Sequence, residues 1–61
     1  MPYITVKIYE HRLDADTEPA LIERLTDAVV AVYGEEIRPS TWITLEPVPP
    51  HRWGIGGRQG G

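Results

Sequence analysis

Pro2, directly after Met1, is the position in this 61-residue sequence with the most distinctive chemistry. Methionine aminopeptidases commonly remove an initiator Met before a small residue, and here that would leave a secondary amine. An α-amino group titrates near 7.7–8.0, and burial or an adjacent cation moves it down, towards the value that suits a general base at neutral pH. While Met1 is attached, the same nitrogen is an amide and takes no proton. The plainer reading is a proline that opens a strand. Arg12 follows ten residues later. On composition alone it reads as an ordinary solvated arginine in a loop between elements. Trp42 and Trp53 each offer an apolar face and one N–H donor.

Other candidates carry less. Glu23 and Asp27 are four apart and read as the solvated face of a helix rather than a catalytic pair. His11 reads as an exposed loop residue. Gly54, Gly56 and Gly57 do not make a phosphate loop, because no helix and no Lys-Ser/Thr pair follow them. With no Cys and only His11 and His51, disulfides are excluded and a metal site is not expected.

The elements that must position these residues are legible from periodicity. Tyr3 to Tyr9 alternates, with Ile4, Val6 and Ile8 on one side and Tyr3, Thr5, Lys7 and Tyr9 on the other, which predicts a strand. Leu21, Leu25, Ala28, Val29 and Val32 form the stripe of an amphipathic helix placed at 18–33. Asp16 or Thr17 serves as its cap, Pro19 falls in the first turn, and Gly34 stands at its C-terminus. Thr41 to Glu46 alternates again, and Pro47, Pro49 and Pro50 are expected to end this second strand. The expected fold class is α+β: one right-handed βαβ unit with parallel strands, followed by the glycine-rich segment WGIGGRQGG. One domain spans 1–61, with 58–61 expected to be a tail that contributes little burial.

Composition sets the outer limits. A net charge of -3 and 25% charged residues lack the basic excess of nucleic-acid binders, so no nucleic-acid partner is expected. The longest apolar run, Ala28 to Tyr33, is far short of the roughly 20 residues that cross a bilayer. Positions 2–10 do not resemble a signal peptide, so the expected location is cytoplasmic. A cysteine-free chain this short buries too little apolar surface to be comfortably stable alone, and self-association is the remaining support. A helix covers one face of a two-stranded sheet. The other, carrying Tyr3, Tyr9 and Trp42, is expected to need another subunit.

At Trp53-Gly54-Ile55-Gly56-Gly57 after Val48-Pro49-Pro50, the chain resembles the 4-oxalocrotonate tautomerase family of amino-terminal proline enzymes. Pro2 opening a strand, Arg12, the segment Leu21 to Ala28 and the Glu46-to-Gly57 segment agree in order and spacing over residues 2 to 57. The resemblance implies a cofactor-free isomerase that interconverts enol and keto forms of a small carboxylate-bearing substrate. Pro2 is then the base, Arg12 the carboxylate binder and Trp53 the apolar wall beside Pro2. It also implies a C-terminal hairpin, pairing of two copies into a four-stranded sheet, and a hexamer of three such dimers with sites at subunit junctions.

One departure stands out. The family's second arginine, on the second strand, aligns with Trp42. Arg38 or Arg52 would have to replace it, or the substrate differs. One residue is also added between Arg12 and Leu21. Two alternatives follow: a hydratase, dehalogenase or decarboxylase that uses protonated Pro2 as an acid, with Tyr3, Tyr9 or Glu46 activating water, and a weakly active subunit of a hetero-oligomer.

Overall fold

The computed structural model describes residues 1–60. Strand β1, Tyr3–Tyr9, has the expected limits, helix α1 spans Thr17–Tyr33, and strand β2 spans Trp42–Val48. Strands β3, Gly54–Ile55, and β4, Arg58–Gln59, form the C-terminal hairpin. The chain is thus a small α+β unit, a βαβ crossover plus a hairpin.

β1 and β2 pair in parallel, with Tyr3 opposite Trp42, Lys7 opposite Glu46 and Tyr9 opposite Val48. Partners in a parallel pair share a face. Ile4, Val6 and Ile8 with Ile43 and Leu45 therefore line the helix side, while Tyr3, Thr5, Lys7 and Tyr9 with Trp42, Thr44, Glu46 and Val48 line the open side. Pro47 lies inside β2 instead of ending it. The Trp42 N–H donates to the Pro2 carbonyl at 2.9 Å, so the N–H groups of residues 44, 46 and 48 also face β1. Position 47 faces the free edge, where a missing N–H breaks no ladder bond.

The helix also departs from its expected footprint. Leu21, Leu25, Thr26, Val29 and Val30 are half-buried, whereas Ala28 and Val32, expected in the stripe, are exposed. A two-stranded sheet is about 5 Å between strand axes, too narrow to cover the whole apolar arc. The helix start differs as well, since neither the Asp16 nor the Thr17 side chain caps it in the usual way. Asp14 does so: its Oδ1 accepts the N–H groups of Asp16 and Thr17, both at 2.8 Å. The Thr17 hydroxyl accepts the Asp14 N–H at 2.9 Å. These backbone donors, Thr17 first, hold the Asp14 carboxyl below the usual carboxylate range.

The glycine-rich end is ordered by its turn. Gly56 and Gly57 have φ of 59° and 82°, the pattern of a two-residue hairpin turn that wants positive φ at both positions. Residues 58 and 59, expected in a tail, form the return strand, and Gly60 N–H closes onto the Trp53 carbonyl at 2.7 Å. A Cβ on Gly60 would lie 2.6 Å from the Pro50 carbonyl, so only glycine fits this closure. Residue 61 of that tail is outside the described residues.

No described residue is fully buried. The chain exposes 4787 Å², against about 4,000 Å² for a folded monomer of its mass. Its radius of gyration is 14.3 Å, where a compact chain of this length has about 10–11 Å. It is a flat slab, 43 × 26 × 14 Å, with no interior of its own. No helix among the described residues is long and apolar enough to cross a membrane.

Candidate active site

Pro2 is half-buried at the entry to β1, its carbonyl tied to the first residue of β2. Met1 before it is 75% exposed, so its removal would cost no packing. Tyr3 and Trp42, opposite each other in the register, stand side by side on the open face at 58% and 57% exposure. The Tyr3 hydroxyl lies 3.0 Å from Thr44 Oγ1. Hydrogen bonding to Thr44, and then to Thr5, lowers the pKa of this phenol below that of an ordinary tyrosine.

Arg38, one of the two candidates for a second cation, is already engaged. Its Nε and Nη2 donate to the two Glu35 carboxylate oxygens at 3.1 and 3.0 Å, and Nη1 donates to Asp27 at 2.9 Å. Glu35 is held below the usual carboxylate range by Arg38, and Arg38 is raised further by Glu35 and Asp27. The fork therefore braces the 35–40 turn against α1.

The opposite end of the sheet gathers the remaining candidates. Arg12 is exposed in the single turn Glu10–Arg12 directly after β1, and its carbonyl accepts the Thr17 hydroxyl at 3.2 Å. The Trp53 ring packs on Tyr9 with centroids 5.0 Å apart, and its Nε1–H donates to the Val48 carbonyl at 3.3 Å. Tyr9, expected to lie uncovered, is therefore half-buried beneath Trp53, with His11 on it at 5.4 Å. Arg52 is exposed in the turn Pro50–Arg52 just before Trp53, and the His51 carbonyl of that turn accepts the Gln59 side chain.

Within one chain these two ends do not meet. The seven residues of β1 separate Pro2 from the Arg12 turn, about 23 Å at roughly 3.3 Å per residue. Between them Lys7 and Glu46 pair across the register at 3.1 Å. The Glu46 Oε2 is itself enclosed and has no directed hydrogen bond beyond that ammonium contact. No cavity opens among the described residues.

A family model described as "Tautomerase enzyme" matches residues 2–59. The chain belongs to the tautomerase family. No match was found among curated proteins or among solved structures. The stretch matched by the tautomerase model runs from Pro2 to the end of β4, so it takes in both ends of the sheet and the hairpin that closes over Trp53. In this member of the family, two residues that sequence reasoning underrated support the candidate site. Asp14 fixes the loop that carries Arg12, and the Asp-x-Asp-Thr spacing of a side-chain cap was the signal available for it. Tyr9 seats Trp53 through a contact 44 positions apart, for which the sequence holds no local signal.

Proposed function

We propose that the chain is a cofactor-free keto–enol tautomerase whose site forms where the Pro2 end of one copy meets the Arg12 and Trp53 end of another. The observation that carries this reading is the separation of about 23 Å between those ends, with no fully buried residue among those described. Family members are generally small oligomers, and a hexamer of three dimers, about 41 kDa or six times 6.9 kDa, satisfies both needs. In each dimer two copies join their sheets into four strands.

Removal of Met1 frees the Pro2 amine. An enol acid is held through its carboxylate by the Arg12 fork. The Pro2 nitrogen takes the enol O–H proton, the O–H electron pair becomes the carbonyl π bond, and the C=C pair collects a proton at carbon from the prolinium. Atoms and charge balance without a co-reactant. Trp53 from the neighbouring copy excludes water beside the amine, and this desolvation lowers its pKa towards neutrality. Arg52, exposed in the turn next to Trp53, is the second arginine in this reading and assists Arg12.

Ketonisation of phenylenolpyruvate or 2-hydroxymuconate by the wild type and by Pro2→Ala, with intact mass and native mass recorded, tests the reading. Loss of rate in the variant, absence of Met1 and a multimer support it. A retained Met1, equal rates or a 6.9 kDa native mass refute it. A second reading, hydration of an unsaturated acid with prolinium as the acid, is favoured by the Tyr3 hydroxyl next in sequence to Pro2. A hydrated product that disappears in Tyr3→Phe would establish it.

A further inference from the structure

We propose that Trp42 sets substrate class, selecting enol acids that carry one carboxylate and a flat apolar or aryl group over dicarboxylates. The inference rests on the reading of Pro2 as the base and deepens it.

Trp42 is fixed to Pro2 by backbone, since its N–H is bonded to the Pro2 carbonyl at 2.9 Å. The indole and the Tyr3 ring are register partners on one face and more than half exposed, so the surface next to the proline is aromatic. Such a surface favours flat conjugated groups through offset or edge-to-face contacts. Cations are scarce there. Arg38 has its fork closed on Glu35 and Asp27, and Lys7, further along the same face, is tied to Glu46. Among the described residues the arginines without an ion pair lie elsewhere: Arg12 and Arg52 in the turns at the far end of the sheet, Arg58 in the hairpin, and Arg24 on the exposed side of α1. A junction between unlike ends therefore offers guanidinium groups on one side of the substrate and aromatic rings on the other. A second carboxylate on the aromatic side would lose its water and find only neutral donors, the indole N–H and whichever of the Tyr3 and Thr44 hydroxyl hydrogens their mutual bond leaves over.

Two measurements on the intact oligomer decide this. The first compares kcat/KM for phenylenolpyruvate and 2-hydroxymuconate in the wild type, Trp42→Arg, Trp42→Phe and Pro2→Ala. The expected wild-type preference is about tenfold or more for the aryl monoacid, the scale of one unmade charge-assisted hydrogen bond. Trp42→Arg should move that ratio about tenfold towards the dicarboxylate, and Trp42→Phe should keep it. The second measures binding of the unreactive acids cinnamate and muconate by tryptophan fluorescence in Trp42→Phe, which reports on Trp53, and in wild type. Tighter cinnamate binding supports the inference even if neither enol is turned over. Equal or tighter muconate binding, or a ratio unmoved in folded, oligomeric Trp42→Arg, overturns it. Unchanged turnover in Pro2→Ala instead removes the base assignment and leaves the binding result standing.

Discussion

The two ends of the parallel sheet are built from the same residue types to opposite effect. At the Arg12 end, Tyr9 and Trp53 stack and are half-buried, the indole N–H is satisfied by Val48, and the hairpin is latched by Gly60. At the Pro2 end, Tyr3 and Trp42 are paired in the register yet more than half exposed, and nothing among the described residues lies over them. One end is finished by its own chain and carries free cations. The other is unfinished and carries the proline. Under the proposed function one site is distributed over two copies, and assembly and catalysis become a single requirement.

The contrast breaks most sharply at Pro2. In Pro2→Ala, or in a form that keeps Met1, kcat/KM for ketonisation should fall by about 10²-fold or more, the scale of a lost positioned base. Circular dichroism and native mass should be unchanged. Arg12→Ala should cost about 10- to 100-fold, mostly as a raised KM, because it removes a charge-assisted bidentate contact of about 1.5–3 kcal/mol. Steady-state kinetics separates the two terms.

Trp53→Ala attacks the finished end itself. Losing the Tyr9 contact and the Val48 hydrogen bond should destabilise the assembly by about 2 kcal/mol per chain, read as a lowered midpoint of denaturation. Asp14→Ala should lower stability by less than Trp53→Ala, as loss of a solvent-exposed helix cap does. Here pH sharpens the test. The Asp14 carboxyl titrates lower folded than unfolded, so its contribution is present above the ordinary carboxylate pKa and is lost as pH falls through the lowered folded value. Stability of the wild type and of Asp14→Ala, compared between neutral and acid pH, should converge at the acid end. Lys7→Met, between the two ends, should change stability by less than about 1 kcal/mol, since its pair with Glu46 is exposed.

Much of the fold follows from local rules. The limits of β1 and the course of α1 are readable because strict alternation and a 3.6-residue stripe leave few alternatives. Pro47 misleads because sequence shows that proline cannot donate but does not show which way position 47 faces. Asp14 is harder to see than Asp16 because a cap set back from the helix depends on the fold of the intervening turn. The candidate site divides in the same manner. Pro2, Arg12 and Trp53 are conspicuous by type and spacing, whereas the closing of Arg38 onto Asp27, eleven positions earlier, and the seating of Trp53 on Tyr9 arise only when α1 and the hairpin fold back. The exposure of Ala28 and Val32 has the same origin, since periodicity shows which side of a helix is apolar but not how wide a sheet it meets.

The proline within β2 bears on how large such an assembly grows. With position 47 facing outward and lacking a hydrogen to give, that edge is a poor template for another strand, and β1 is left as the better-equipped border. A β1–β2 sheet with one receptive border can take up one further sheet there and offers no second border of its own. Under the proposed pairing of two copies, growth of that sheet would end at four strands, and a polypeptide with so much uncovered apolar surface would be steered towards discrete particles and away from fibres.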